Sequence, residues 1–194
     1  MQDRGLATRE RILDVAQAMV QEQGYNAVSF RDLSAAVNVR AASIHYYFPS
    51  KEDLAEALVD RYRALFAAGR TAIDEKGSSP ARRLKQYVEV VRGAFRHTGR
   101  MCLCGVLAAE MSSLPERVAR SVRAFFSENE EWLAAVLAAG RTAGELRFEG
   151  TAGHAAEALF ATIEGALMSA WTFKDQGRID RVARLIFESL EVGR

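Results

Sequence analysis

Proline, cysteine and histidine are scarce in this 194-residue chain, which has three, two and three of them. So few prolines, together with abundant Ala, Leu, Val, Glu and Arg, favour a fold made almost entirely of helices. No apolar run approaches the roughly 20 residues that a membrane-spanning helix needs. The polar start at residues 1–8 contains no apolar stretch typical of a secretory signal. We therefore expect a cytoplasmic, all-α protein.

Motifs of common enzyme classes are also missing. The sequence has no Gly-rich phosphate loop, no GxSxG turn and no HExxH pair. His45, His97 and His154 lie far apart on different predicted helices, and the acidic pair at 130–131 falls on a polar helix face. The two cysteines have no second Cys pair with which to bind zinc, and the histidines are not spaced as their partners. We expect no enzyme activity, no cofactor and no metal site.

The segment SFRDLSAAVNVRAASIHYYFPSK, residues 29–51, contains two helix-start signals. In each, a serine is followed three residues later by an aspartate: Ser29 with Asp32, and Ser50 with Asp53. The break between two short apolar stripes falls at Asn38, a residue type that tolerates the left-handed conformation of a tight turn. The pattern predicts a helix-turn-helix motif at 29–48, whose second helix can enter the major groove of DNA. The stripes are Phe30, Leu33, Ala36 and Val37, then Ile44, Tyr47 and Phe48.

The second helix of this motif suits contact with DNA. If Val39, Ile44 and Phe48 face inward, small and hydrogen-bonding residues remain outside. Small side chains let a helix approach base edges, and Arg, His, Tyr and Ser can bind bases or phosphates. Lys51 adds a charge at the start of the next helix, where phosphates bind well, and Arg31 lies near the same groove edge. The outward set is Arg40, Ala41, Ala42, Ser43, His45 and Tyr46.

The N-terminal run from RILDVAQAMV to YYFPSKEDL resembles the DNA-binding domain of TetR-family transcriptional regulators, over roughly residues 6–60. The family usually has Gly at the turn, where this chain has Asn38, and often has Tyr where this chain has His45. The resemblance implies a dimeric DNA-binding protein with an inducer cavity among its middle helices. It places the DNA contacts at Ser29, Arg31, Ala41, Ala42, Ser43, His45, Tyr46, Tyr47 and Lys51.

The charge of the N-terminal region is unexpected for a DNA-binding domain, which normally carries a basic face. Residues 1–66 contain eight basic and nine acidic side chains, a net charge of −1. We therefore expect the two signs to be segregated on the surface. The expected DNA-side cations are Arg4, Arg9, Arg31, Arg40 and Lys51, and the acidic residues expected elsewhere are Asp14, Glu22, Glu52, Glu56 and Asp60.

About nine helices are predicted along the chain. The DNA-binding domain takes residues 1–50, a connecting helix takes 51–76, and an effector-binding and dimerisation domain takes 77–194 after the GSSP turn. The first helix should bury Ile12, Val15, Ala16, Met19 and Val20. Besides the two helices of the helix-turn-helix, the predicted helices span about 6–23 (the first helix), 51–76, 80–97, 101–112, 115–143 with Pro115 as first residue, 151–173 and 178–192.

We expect the last two helices to form a homodimer interface, because a single helix-turn-helix contacts only half of a DNA site. Small residues on the helix predicted at 151–173 would allow a second copy to approach closely, and a stripe of larger apolar residues lies on the helix predicted at 178–192. The small residues are Ala158, Ala161, Ala166 and Ala170, and the apolar stripe is Val182, Leu185, Ile186 and Leu190. The alternative is that both stripes belong to an internal core.

Residues that could line an effector cavity follow only from composition, since aromatic and Met stripes are more often ordinary core. The candidates are Tyr62, Phe66, Tyr87, Phe95, Met101, Cys102, Phe125, Trp132, Phe160, Glu164, Met168 and Trp171. Cys102 lies near a predicted helix start in GRMCLCG, where the positive helix end can activate a thiol. This gives a second hypothesis, a repressor that senses oxidants or electrophiles through Cys102 or Cys104. Two buried structural cysteines are the alternative.

The sequence thus predicts a DNA-binding transcriptional regulator, a homodimeric repressor of a near-palindromic operator that a small-molecule inducer releases. An alternative of a different class is a helical ligand-binding protein without affinity for DNA.

Overall fold

The computed structural model describes the backbone of residues 2–190 and the side chains of residues 5–190. Over these residues it has nine α-helices, one 3₁₀ turn and no β-strand, which confirms the predicted fold class. The helices are α1 Gln2–Gln23, α2 Phe30–Val37, α3 Ala41–Tyr47, α4 Lys51–Glu75, α5 Pro80–Thr98, α6 Leu103–Ala109, α7 Glu116–Thr142, α8 Ala152–Phe173 and α9 Gly177–Leu190, with the 3₁₀ turn at Met111–Ser113. No helix within this described part is long and apolar enough to cross a membrane.

Serine caps start two of the N-terminal helices, as predicted. The Ser29 hydroxyl accepts a hydrogen bond from the Asp32 backbone N–H at 3.2 Å and donates to Asp32 Oδ2 at 2.5 Å. At α4, the Ser50 hydroxyl accepts from the Asp53 N–H at 3.1 Å, and the Ser50 N–H donates to Asp53 Oδ2 at 2.8 Å. Each cap satisfies backbone N–H groups that have no partner inside the helix.

The turn between α2 and α3 depends on Asn38. Its backbone has φ 56° and ψ 52°, in the left-handed region, and its N–H donates to the Ala35 carbonyl at 3.2 Å. The Val39 N–H closes the turn on the Ser34 carbonyl at 3.0 Å. The predicted role of Asn38 is confirmed. The second helix begins at Ala41, slightly later than the Val39 start expected from the sequence.

A small core lies beneath the motif. Leu33, Val37 and Ile44 are fully buried and Phe48 is almost so. The prediction that Ala36 belongs to this core is wrong, because Leu33 and Val37, four residues apart, already fill the narrow buried face of an eight-residue helix. On α1, the predicted Ile12, Ala16 and Val20 are buried, Val15 and Met19 are half-exposed, and Leu13 is an additional fully buried residue.

The contacts divide the chain into two compact units. Unit one comprises Met1–Ala64 and Cys102–Phe125, and unit two comprises Leu65–Met101 and Phe126–Arg194. Residues 102–125 therefore pack with the N-terminal helices although they come much later in the sequence. The units cut across the segments 1–50, 51–76 and 77–194, whose assignment as functional domains stays a prediction.

The segment 102–125 differs from its predicted secondary structure. The single helix expected at 101–112 is the shorter α6 followed by a 3₁₀ turn, because the chain tightens at Glu110, whose N–H donates to the Leu107 carbonyl at 3.0 Å. Pro115 does not open α7. It precedes the first helical residue and its carbonyl accepts from the Ala119 N–H at 2.9 Å.

Unit two is built around α8, which packs against α9, and α9 also contacts α5. Its core contains one fully buried polar side chain among the described residues, Asn129. The side-chain Oδ1 of Asn129 accepts hydrogen bonds from Arg70 Nη1 at 2.8 Å and from the Tyr87 hydroxyl at 2.9 Å. The predicted end of the last helix at residue 192 lies outside the described residues.

We predict that the left-handed backbone at position 38 tolerates asparagine or glycine but is strained by alanine, whose side chain cannot form local hydrogen bonds. Asn38→Ala should lower the free energy of unfolding by about 1 kcal/mol, because alanine pays the left-handed strain in full. Asn38→Gly should change it by less than about 0.5 kcal/mol, because glycine relieves strain but gives the unfolded chain more freedom. Urea denaturation at one protein concentration measures both. Equal losses in the two variants would contradict the account of this turn.

Candidate nucleic-acid interface

The two faces of α3 differ sharply in exposure. Ile44 is fully buried and Phe48, just after the helix, is 2% exposed. On the opposite face Ala41, Ala42 and His45 are exposed, Ser43 is partly exposed, and the Tyr46 side chain is 80% exposed. A bare surface of small residues next to a tyrosine leaves room for a groove edge to come close to the helix backbone.

Aromatic contacts hold the side chains at the C-terminal end of this face. The His45 ring meets the Phe30 ring edge-on, with centroids 4.9 Å apart, and His45 Nδ1 lies 3.4 Å from the Pro49 carbonyl oxygen. Tyr46 and Tyr47 are nearly perpendicular at 5.0 Å. Edge-to-face pairs of this kind restrict ring orientation. The contact between His45 and Phe30 was not predicted, since it joins two helices and leaves no local sequence signal.

Lys51 is already engaged within the chain. Its Nζ donates to the Asn26 carbonyl at 3.2 Å and lies 4.3 Å from the centre of the Tyr25 ring. Burial lowers the pKa of Lys51, against the opposing effect of the Glu110 carboxylate. A phosphate contact by Lys51 would therefore compete with its bond to the turn after α1. Ser29 is half-exposed at its cap, and Arg31 is exposed.

Many acidic residues of the N-terminal region are engaged in ion pairs with arginines. Arg61 binds Asp14 at 2.7 Å and Glu10 at 3.3 Å, and Arg63 binds Asp60 at 3.4 Å. A further arginine from α7, Arg117, forms ion pairs with three carboxylates at the start of α4, which are Glu52, Asp53 and Glu56.

The cations of the motif are not neutralised in this way. Among the described side chains, Arg31 and Arg40 make no ion pair, so their charge remains available to phosphates. Arg9 pairs with Glu10 at 3.0 Å and lies over the Phe48 ring at 5.3 Å, which places it close to the core beneath the motif. The Arg4 side chain, also expected on the DNA side, lies outside the described residues.

The candidate effector-lining residues do not form one group. Within unit two, Tyr87 and Trp132 stack at 5.3 Å, and the Trp132 indole N–H donates to Asp74 at 2.9 Å. Met168 and Trp171 lie on the surface, 52% and 42% exposed, and so are separate from the buried candidates. The others in unit two are Phe66, Phe95, Met101, Phe160 and Glu164, and those in unit one are Tyr62, Cys102 and Phe125.

Both cysteines are free thiols and both are buried, with Cys104 fully inaccessible and Cys102 only 5% exposed. Cys102 precedes the first residue of α6, close to the helix start that the sequence suggested. Burial hinders direct attack by an oxidant or electrophile. The thiol-sensing hypothesis remains a prediction, and the burial of both thiols does not support it. The described side chains contain no group of three or more His, Cys, Asp and Glu residues that could hold a metal ion.

Comparisons with known proteins agree with this geometry. The family model described as "Bacterial regulatory proteins, tetR family" matches residues 12–58, and that described as "Tetracyclin repressor-like, C-terminal domain" matches residues 80–186. The chain is 36% identical to a TetR-family transcriptional regulator from Agrobacterium tumefaciens, covering 97% of this chain and 100% of that one, with a TM-score of 0.93.

Two further similarities extend over nearly the whole chain. A TetR transcriptional regulator from Legionella pneumophila is 31% identical over 94% of this chain and 96% of its own, with a TM-score of 0.85. The HTH-type transcriptional repressor DhaR of Mycobacterium sp. (strain GP1) is 22% identical over 94% of this chain and 91% of its own. Family models match both halves of the chain, and the outer face of α3 in the helix-turn-helix is exposed. The chain belongs to the TetR family of DNA-binding transcriptional regulators.

Proposed function

We propose that this chain is a repressor that binds a near-palindromic operator as a homodimer, in the cytoplasm, and leaves it when a small molecule binds the C-terminal region. The observation that carries the proposal is the face of α3, where small exposed residues lie beside Arg40, which forms no ion pair with any side chain that the structure describes. DhaR, which resembles this chain along most of its length, is named a repressor, and that supports the sign of regulation. Membership of a DNA-binding family sets aside the alternative of a helical protein without affinity for DNA.

On this proposal α3 is the recognition helix. Ala41 and Ala42 bring the helix close to base edges, and Arg40, just before the first helical residue, donates to a guanine or a phosphate. Tyr46 and Ser43 bind phosphate oxygens through their hydroxyls. The remaining proposed contacts, at the edges of the groove, are Ser29, Arg31, His45, Tyr47 and Lys51.

The dimer is proposed to form through the exposed faces of α8 and α9. Ala158 and Ala161 are exposed on α8, as is Met168, and Leu185 on α9 is 64% exposed. Exposed apolar side chains beside small ones form a surface on which helices of a second copy can pack closely.

Part of the stripe predicted for this interface lies inside the subunit instead. Ala166 and Ala170 are buried, and so is Ile186. They pack the subunit's own core because α8 and α9 bury one face against each other. Val182 and Leu190 are half-exposed.

Release by an inducer requires that the ligand bind more tightly to a conformation with low affinity for DNA. We propose that aromatic residues of unit two, the buried Tyr87 and Phe160 with the half-buried Trp132, supply the apolar walls of its site. Asn129, held by Arg70 and Tyr87, gives this region a fixed polar group.

Loss of Arg40 tests the recognition helix. Arg40→Ala should weaken binding to an operator selected from random duplexes by the wild-type protein, by about 1–3 kcal/mol for each subunit if the arginine binds a base. If it binds a phosphate, the slope of log K against log salt should fall by about 1.8 per dimer. Fluorescence anisotropy across a salt series measures both.

The matched control is Arg82→Ala, which removes an exposed arginine from α5 and should leave both quantities unchanged. Equal effects of the two variants, or failure of the wild type to enrich any sequence, would count against groove recognition by α3.

A charge on α9 tests the dimer. Leu185→Glu should yield monomers in sedimentation velocity at micromolar concentration, because two carboxylates would be desolvated in the interface. Val90→Glu is the control, since Val90 is a comparably exposed apolar residue, 49% exposed, on α5. A dimer that survives Leu185→Glu, or that is lost equally with Val90→Glu, would place the interface elsewhere.

A further inference from the structure

Two groups of contacts hold the helix-turn-helix at its two ends. One group fixes the turn between α1 and α2, where the chain enters the motif. The other fixes the first two turns of α4, where the chain leaves it. Both come from residues 110–117 of unit one, between α6 and the start of α7. We call these residues the clamp segment.

At the entrance, the Glu110 carboxylate binds the turn. Glu110 Oε2 accepts a hydrogen bond from the Tyr25 backbone N–H at 2.6 Å, and Oε1 accepts from the Asn26 side-chain amide at 3.2 Å. The same amide donates to the Ser113 hydroxyl at 2.8 Å. The carboxylate thus satisfies a backbone donor that lies outside any helix, and it does so from 85 residues away in the sequence.

The backbone conformation of this turn favours glycine, and the Glu110 carboxylate lies close to it. Gly24 has φ 85°, and a Cβ there would lie 2.8 Å from Glu110 Oε1. The other side of the turn is held by Lys51, which donates to the Asn26 carbonyl and lies over Tyr25. The turn is therefore held from two sides, by α4 and by the clamp segment.

At the exit, Arg117 binds three carboxylates of α4. Its guanidinium lies 2.6 Å from Glu52, 2.6 Å from Asp53 and 2.9 Å from Glu56. Residues 52, 53 and 56 occupy neighbouring positions of one helix surface. Because a guanidinium donates in several fixed directions, one side chain defines where the start of α4 lies relative to α7.

The pair of Asp53 with Arg117 remains charged in the neutral range. Hydrogen bonds from the Ser50 hydroxyl and from Arg117 lower the pKa of Asp53, and the bonds from Arg117 to Asp53 and Glu52 raise the pKa of the guanidinium. A lowered carboxyl pKa means that the stabilising charge is lost only as the pH falls through that lowered value. Operator binding near neutral pH is therefore measured with this end of the clamp intact.

We propose that Glu110 and Arg117 are positioning residues for DNA recognition, which together hold the motif in the pose from which α3 meets the major groove. The inference rests on the proposed function, because it assumes that α3 contacts bases. Sequence is read by base contacts, which depend on the pose of the recognition helix, whereas phosphate contacts carry no sequence information. Loss of the clamp should therefore reduce sequence-specific binding more than non-specific binding.

A contribution to stability alone predicts something different. Exposed ion pairs add little to folding, and the Arg117 side chain is 35% exposed, so we expect the variants to stay folded. If the residues merely stabilised unit one, their loss would lower the thermal midpoint and reduce specific and non-specific binding together.

The experiment compares Glu110→Ala and Arg117→Gln in the full chain, with Arg117→Lys as the conservative variant. Affinities for a selected operator and for a random duplex of equal length are measured at one salt concentration. We expect the ratio of the two affinities to fall about tenfold or more, the size of one or two lost base contacts, with non-specific affinity changed less than about threefold. Arg117→Lys should lower the ratio less than Arg117→Gln does, since lysine keeps the positive charge but lacks the several fixed donors of a guanidinium.

The matched controls are Glu131→Ala and Arg123→Gln, which remove exposed charged side chains of α7 outside the clamp segment. They should leave the affinity ratio unchanged. An unchanged ratio in Glu110→Ala and Arg117→Gln, or a proportional loss of both affinities with a lower thermal midpoint, would overturn the proposal.

Amide hydrogen exchange without DNA separates this proposal from the proposed function. The Tyr25 N–H, which donates a hydrogen bond to Glu110, should exchange faster in Glu110→Ala. The backbone amides of α3 should exchange faster in both variants but not in the controls. Unchanged exchange overturns the clamp even if the protein binds its operator. If the wild type shows no sequence preference, the proposed function fails while exchange still reports whether the clamp holds the motif.

Discussion

The burial of Ile44 and Phe48 under α3 is the interaction on which the DNA-binding surface depends. A seven-residue helix is far too short to be stable alone, since isolated helices of that length do not repay the cost of nucleation. Its inner face must therefore be held by neighbouring helices, and α3 packs against α2, which carries the buried Leu33 and Val37. Because those contacts use only one face, the opposite face is left bare and can meet a duplex.

Charge pairing completes this arrangement. Most of the acidic residues in the first 66 positions pair with Arg61, Arg63 or Arg117, while Arg31 and Arg40 make no ion pair within the described residues. A domain with no net positive charge can thus present cations on the surface where phosphates would lie. The same pairing ties the start of α4 to α7, so electrostatics and the position of the motif are coupled through Arg117.

Local features of the motif could be predicted from the sequence because they depend on residues three or four apart. The Ser29 and Ser50 caps, the left-handed Asn38 and the inward Ile44 all follow from spacing and residue type. Spacing alone does not say which of two apolar faces is covered within the subunit. For this reason the spacing places Ala36 in the core, although it is exposed, and places Ala166 and Ala170 on a dimer surface, although they are buried.

Contacts between distant residues had no signal in a single sequence. Glu110 reaches Tyr25 across 85 positions and Arg117 reaches Asp53 across 64, and neither differs in type from the many other charged residues of the chain. The burial of Cys102 and Cys104 could not be predicted either, since a cysteine can be a small buried apolar residue or an accessible reactive thiol, and the sequence does not distinguish the two.

Methylation interference on a selected operator tests most directly whether α3 lies in the major groove. The account predicts that methylating guanine N7, which faces that groove, blocks binding at two symmetric clusters. Their centres should lie about one helical turn or a multiple of it apart. Interference confined to adenine N3 in the minor groove, or no interference at any guanine, would contradict it.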